Sequence, residues 1–138
     1  MLGRKTYTQE ELDHAKASVA QQLGAYDALA VVAAGTPELA AFEPRFFNNM
    51  ALVLDRLFVH RVRLVTGRDS NPLNEIELIC ESLMDNDGVF RTGTVVKYLP
   101  DQSVTGLRAG DSIRLTVDVF ARLSAAFFDE LDRRFVSA

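Results

Sequence analysis

Arg56, His60 and Arg63 are spaced i, i+4, i+7, so on an unbroken helix their side chains stand in one row. Arg45 and Asn49 extend that row toward the N-terminus. Guanidinium forks match the paired oxygens of carboxylate and phosphate, so the chemistry such a strip offers is capture of a small anionic ligand. Arg56, His60, Arg63 and Asn49 are its candidate ligand-binding residues. The same strip also reads as a solvated face whose cations complement a helix C-terminus, or as a face turned toward another protein.

Arg61 stands apart and projects into the apolar arc of the same segment. Its stem can lie on apolar surface while its head reaches water. Alternatively it forms a partly buried ion pair with an acid from another helix, with Glu77 and Glu81 as candidates, because an unpaired buried guanidinium is very costly. His60 reads as a polar-edge or packing histidine. The only other histidine, His14, is far away in sequence.

Other chemistry is thin. Glu11-Leu12-Asp13-His14 has the Glu-x-x-His spacing of carboxylate-bridged di-iron bundles, but both groups point away from the apolar stripe of their helix and no second copy exists. Cys80 lies on an apolar helix face and reads as a small core residue. Asp85-Asn86-Asp87-Gly88 lacks the alternating ligands and closing glutamate of a calcium loop and reads as a helix end. Gly88 and Gly93 lack the Lys-Ser/Thr ending of a phosphate loop. The sequence shows no Cys-x-x-Cys, His-x-x-x-His, dinucleotide fingerprint or nucleophile motif. No cofactor and no metal follow from it, and the balance leans away from an enzyme.

The elements that must position these groups are mainly helical. Residues 44–66 are the most apolar run at helical spacing, with Glu43 as N-cap and Pro44 at the first helical position. Phe46, Met50, Val53, Leu57 and Leu64 form one stripe. Phe47, Ala51, Leu54, Phe58, Val62 and Val65 form a second beside it. Together they exceed the ~100° arc of an ordinary surface helix, which makes this the core helix, covered by at least two neighbours. A first helix over 8–34 opens on the capping box Thr8 to Glu11 and ends at Gly35. A short helix from Thr36-Pro37 ends near Phe42, before the break at Glu43-Pro44. Asn71-Pro72 starts a helix over 72–86 that buries Leu73, Ile76, Ile79, Cys80 and Leu83.

Between Val89 and Leu115 the pattern changes. Thr94 to Tyr98, Ser103 to Leu107 and Ser112 to Leu115 read as two or three short antiparallel strands. Thr116 then caps a helix over 117–135 whose stripe, Phe120, Leu123, Phe127, Phe128, Leu131 and Phe135, packs the core or closes partly against a second copy. The expected fold is mainly α, a four-helix core with a short β-hairpin or three-stranded β insert before the last helix. It forms one domain over 1–138, with residues 1–7 loose and the insert at 89–115.

With 138 residues, a net charge of −4 and no basic block, composition argues against general nucleic-acid binding. One cysteine permits no intrachain disulfide and suits a reducing compartment. No signal-peptide core or membrane span is present, so the chain reads as soluble and cytoplasmic. The function this supports is a non-enzymatic interaction or regulatory module that self-associates as a homodimer or engages an unknown protein partner. The alternative is a binding protein or enzyme for a small anionic ligand, built on the strip of helix 44–66.

Overall fold

A computed structural model describes residues 3–136. Its helices are α1 (Gln9–Val32), α2 (Pro37–Leu57), α3 (Arg63–Thr66), α4 (Pro72–Asp85) and α5 (Val117–Phe135), with a 3-10 turn at Pro100–Gln102. Each long helix starts on a side-chain cap. Thr8 and Glu11 complete a capping box, Thr36 accepts from the Leu39 N–H, Asn71 accepts from Leu73 and Asn74, and Thr116 accepts from Val119. These caps satisfy N–H groups that the first turn leaves without intrahelical partners.

The hub is α5 rather than the 44–66 segment. α5 packs against each of the other four helices, and its stripe Phe120, Leu123, Phe127, Phe128, Leu131 and Phe135 is buried within the chain. Phe47 and Leu54 from α2, Ile76 and Ile79 from α4, and Leu12 from α1 are fully enclosed with it.

The helix predicted over 44–66 is corrected at both ends. α2 begins at Pro37 and runs through Pro44, although an interior proline removes one backbone hydrogen bond and costs about 3 kcal/mol against alanine. Aromatic packing offsets that cost. Phe42 and Phe46 stack with Tyr26 of α1 at ring centroids 6.5 and 5.9 Å apart, and Phe47 meets Tyr26 at 4.7 Å and Phe120 at 5.4 Å. At the other end α2 stops at Leu57, a turn follows, and α3 restarts at Arg63. Arg61 folds back under that turn and donates to the Phe58 carbonyl at 3.0 Å. Residues ahead of α1 occupy the space the continued helix would need. Arg4 N–H donates to the His60 carbonyl at 2.6 Å and its carbonyl accepts from Val62 N–H at 2.9 Å. A Cβ at Gly3 would meet Val62 Cγ2 at 2.7 Å and the His60 oxygen at 2.9 Å, so the approach is close enough to need glycine. The lead-in expected to be loose is therefore tied down from residue 3 onward, and Tyr7 is buried between Phe58 and Phe135.

The β insert is also corrected. Residues 89–115 contain no sheet among the described residues, only an isolated antiparallel bridge between Val89 and Ser112. Phe90 N–H donates to Asp111 O, Ile113 N–H to Gly88 O and Gly110 N–H to Phe90 O, each at 2.8 Å, and these bonds form no strand ladder beyond the single bridge. Side chains take the place of strand partners. Asn48 of α2 donates to Ile113 O and accepts from Leu115 N–H. Glu75 of α4 accepts from Val104 N–H, Thr105 N–H and the Thr105 hydroxyl. Glu43 accepts from Val117 N–H. β propensity expresses a fit to a pleated, half-buried surface, and this segment instead lies on helices that supply its acceptors and donors.

Candidate functional site

The break between Leu57 and Arg63 decides where the candidate residues go. Asn49 lines a groove of about 440 Å³ with Arg45, Asn48, Leu52, Leu83 and Met84. Arg56 and His60 border a separate depression of about 280 Å³ with Arg4, Tyr7 and Glu11. Arg63 lies in a third, of about 340 Å³, with Asp55, Arg61, Glu77, Cys80 and Glu81. The four residues do not converge, because they share one row only on an unbroken helix. Arg63 is also spent internally. Its Nη1 donates to Asn74 Oδ1 at 2.7 Å, and its Nη2 forms an ion pair with Glu77.

Arg61 is the buried cation of this region, with a side chain 6% exposed. Its Nη2 lies 2.7 Å from Asp55 Oδ1, 3.3 Å from Leu73 O and 4.0 Å from Glu77 Oε2. Its guanidinium carbon stands 5.5 Å from the centre of the Phe127 ring, within range of a cation–π contact. Glu81 lines the same cavity but makes no ion pair among the described residues. Asp55 was not foreseen from sequence, for a geometric reason. Six residues apart on an unbroken helix, it would point about 240° away from Arg61, and only the break lets the two meet.

Chemically this cavity holds two cations already matched by two acids. An incoming anion would have to displace Asp55 from the buried Arg61 guanidinium, which is strongly unfavourable, or Glu77 from the half-exposed Arg63. At its floor Cys80 donates to the Ala51 carbonyl at 3.4 Å. Burial, reinforced by the nearby Asp55 carboxylate, pushes its thiol far above the ordinary range, so it is held as the thiol and not the nucleophilic thiolate. The arrangement locks the end of α2 to α4.

A different feature is open to solvent. Leu52, Val53, Arg56 and Leu57 of α2 with Met84 of α4 line a wide, almost wholly apolar opening of about 490 Å³. Val53 is 44% exposed, Leu57 38% and Met84 69%. It shares Leu52 and Met84 with the Asn49 groove. Toward the start of α2, Phe42, 40% exposed, and the half-buried Phe46 stack on Tyr26 of α1. Sequence periodicity placed Phe46, Val53 and Leu57 in the core stripe, whereas the buried side of α2 is Phe47, Met50, Ala51 and Leu54. The available signal was an apolar arc wider than one neighbour covers, together with Met84, an apolar residue outside the stripe of its own helix. Among the described residues, no helix is long and apolar enough to cross a membrane. No protein-family model, no curated protein and no solved structure matches the chain.

Proposed function

We propose that the chain is a non-enzymatic interaction module that associates with itself through the outward side of α2 and the end of α4. The observation that carries this reading is the open apolar surface of Leu52, Val53, Leu57 and Met84. Contiguous exposed apolar surface bordered by polar groups marks association sites on soluble proteins. Asn49, Arg45 and Arg56 supply that polar border. The dispersal of Arg56, His60, Arg63 and Asn49 over three depressions, with Arg63 already paired, weighs against the small-anion reading. The single cysteine and its buried thiol suit a reducing compartment, and we place the module in the cytoplasm.

Sedimentation equilibrium between about 5 and 500 µM tests the reading, on the full chain and on a Val53→Asp/Met84→Asp double variant. The wild type should gain mass with concentration toward a dimer. The variant should stay monomeric with a melting temperature close to wild type, because substitutions at exposed positions usually change stability by only about 0.5 kcal/mol. A wild type that remains monomeric throughout removes the proposal.

A further inference from the structure

We infer that two copies associate with α2 of each lying on α4 of the other, about a two-fold axis that runs along the groove between these helices. The inference rests on the association surface proposed above and adds its geometry. That surface carries opposite charge on its two helices. From Arg45 onward the exposed residues of α2 are Arg45, Asn49, Val53, Arg56 and Leu57, and those of α4 are Glu81, Met84 and Asp85. Beside their exposed apolar residues α2 thus presents two cations and α4 two anions. None of these four charges makes an ion pair among the described residues.

The charges also match in height along the groove. Arg45 and Leu52 line one opening with Met84, Asp55 lines another with Glu77 and Glu81, and between them Cys80 donates to Ala51 O at 3.4 Å. α2 and α4 therefore run antiparallel, with Arg45 level with the Met84–Asp85 end of α4 and Arg56 near the level of Glu81. A two-fold axis along the groove exchanges the two helices and keeps these levels, and each contact occurs twice. It sets Arg45 against the partner's Asp85, Arg56 against the partner's Glu81, and Leu52 against the partner's Met84. Helices that meet across the axis are antiparallel, so their dipoles oppose. An axis running across the helices, midway between Arg45 and Arg56, would set each of these arginines against the other and repel. A second copy is the occupant that supplies an acidic edge for α2 and a basic edge for α4 at once.

The test mixes two full-length variants, Asn49→Cys and Asp85→Cys, one of them isotopically labelled, with a short bismaleimide at a concentration where the chain dimerises. Wild type is the blank, since Cys80 is buried. The mixture should give the conjugate of one variant with the other, because α2 faces the partner's α4. Each variant alone should give little, because its two cysteines stand on helices diagonal to each other across the axis. Charge reversal is an independent route. Arg56→Glu and Glu81→Lys should each weaken self-association about tenfold, since each reversal acts twice in a symmetric dimer. Arg56→Glu/Glu81→Lys should restore it. Cross-linking of Asn49→Cys alone in preference to the mixture, or no rescue in the double variant, overturns this arrangement. If association is then still abolished by Val53→Asp/Met84→Asp, the surface stands and only its geometry fails. A monomeric wild type overturns both.

Discussion

Replacing Glu75 by Gln should loosen the whole segment between α4 and α5. Glu75 is 3% exposed, and its carboxylate holds the Val104 N–H at 2.9 Å, the Thr105 N–H at 2.9 Å and the Thr105 hydroxyl at 2.7 Å. An amide keeps one acceptor oxygen and turns an NH₂ group toward donors, so at least one backbone N–H loses its partner in a part-buried place. Each such loss costs roughly 1–3 kcal/mol, and loss of charge-assisted bonding adds to it, for a total of about 2–4 kcal/mol. With 138 residues, an unfolding entropy near 2.1 cal/mol/K per residue gives a midpoint lowered by about 7–14 °C. The assay is thermal unfolding together with residue-resolved hydrogen exchange. The amides of Val104 and Thr105 should exchange faster while those of α1 keep pace with global stability. Thr105→Val, which replaces the hydroxyl by a methyl and so loses its bond to Glu75 and the one it accepts from Leu107 N–H, should cost about 1–3 kcal/mol. A Glu75→Gln protein that melts within 1 °C of wild type, with amides 104 and 105 unchanged, would refute the idea that this carboxylate replaces a strand partner.

Three further outcomes follow from the same kind of accounting. Arg61→Ala should destabilise by about 3–5 kcal/mol in urea unfolding, because it strands Asp55 without its cation, whereas the double variant Arg61→Met/Asp55→Leu should recover most of that loss. The Arg4 guanidinium, helped by the Thr8 N–H, holds the Glu11 carboxyl down at about 2. A depressed folded pKa contributes stability above the ordinary carboxylate pKa that is lost as pH falls through the folded value. Stability should therefore decline between about pH 5 and pH 2 with a small component that Glu11→Gln removes. Salt should shrink that component, since both groups are solvent-exposed. Cys80 should resist a thiol reagent in the native protein and react only at the rate at which α4 opens, because it is buried with its thiol pushed up; fast native labelling would contradict its position.

What could be read from the sequence was what neighbouring residues decide. Thr8, Asn71 and Thr116 cap helices where their side chains stand next to unpaired N–H groups, and the α5 stripe follows from period alone. Pro44 misled because the local rule makes proline a helix start, while the aromatic stack of Tyr26, Phe42 and Phe46 carries α2 through it. Thr94 to Tyr98 has strand-forming residues, but whether a strand forms depends on a partner, and Asn48 and Glu75 bond the backbone elsewhere in this insert instead. The end of α2 is set by Arg4, more than fifty positions away in sequence, bonding to His60 and Val62. Helical periodicity contains no trace of that contact. Glu77 does lie by Arg61 and Arg63, a neighbourhood accessible to sequence because an apolar arc can accept a cation only with an acid beside it.

The break that dismantles the basic row is also what gives α2 its outward face. Had the helix continued to Thr66, Arg63 would have prolonged the strip of Arg56 and His60, and Val62 and Val65 would have prolonged the core stripe. Instead Arg61 turns inward to Asp55 and Leu73 and fixes the end of α2 to α4, while Arg63 turns to Glu77 and Asn74 and fixes α3 to α4. Arg56 and Leu57 are left at an exposed end, beside Met84. Internal pairing thus consumes Arg63 of the basic row and leaves Arg56, at the rim of the apolar opening, without an ion pair among the described residues. That division of the arginines is the physical reason to look for this protein's activity in what its α2 surface contacts.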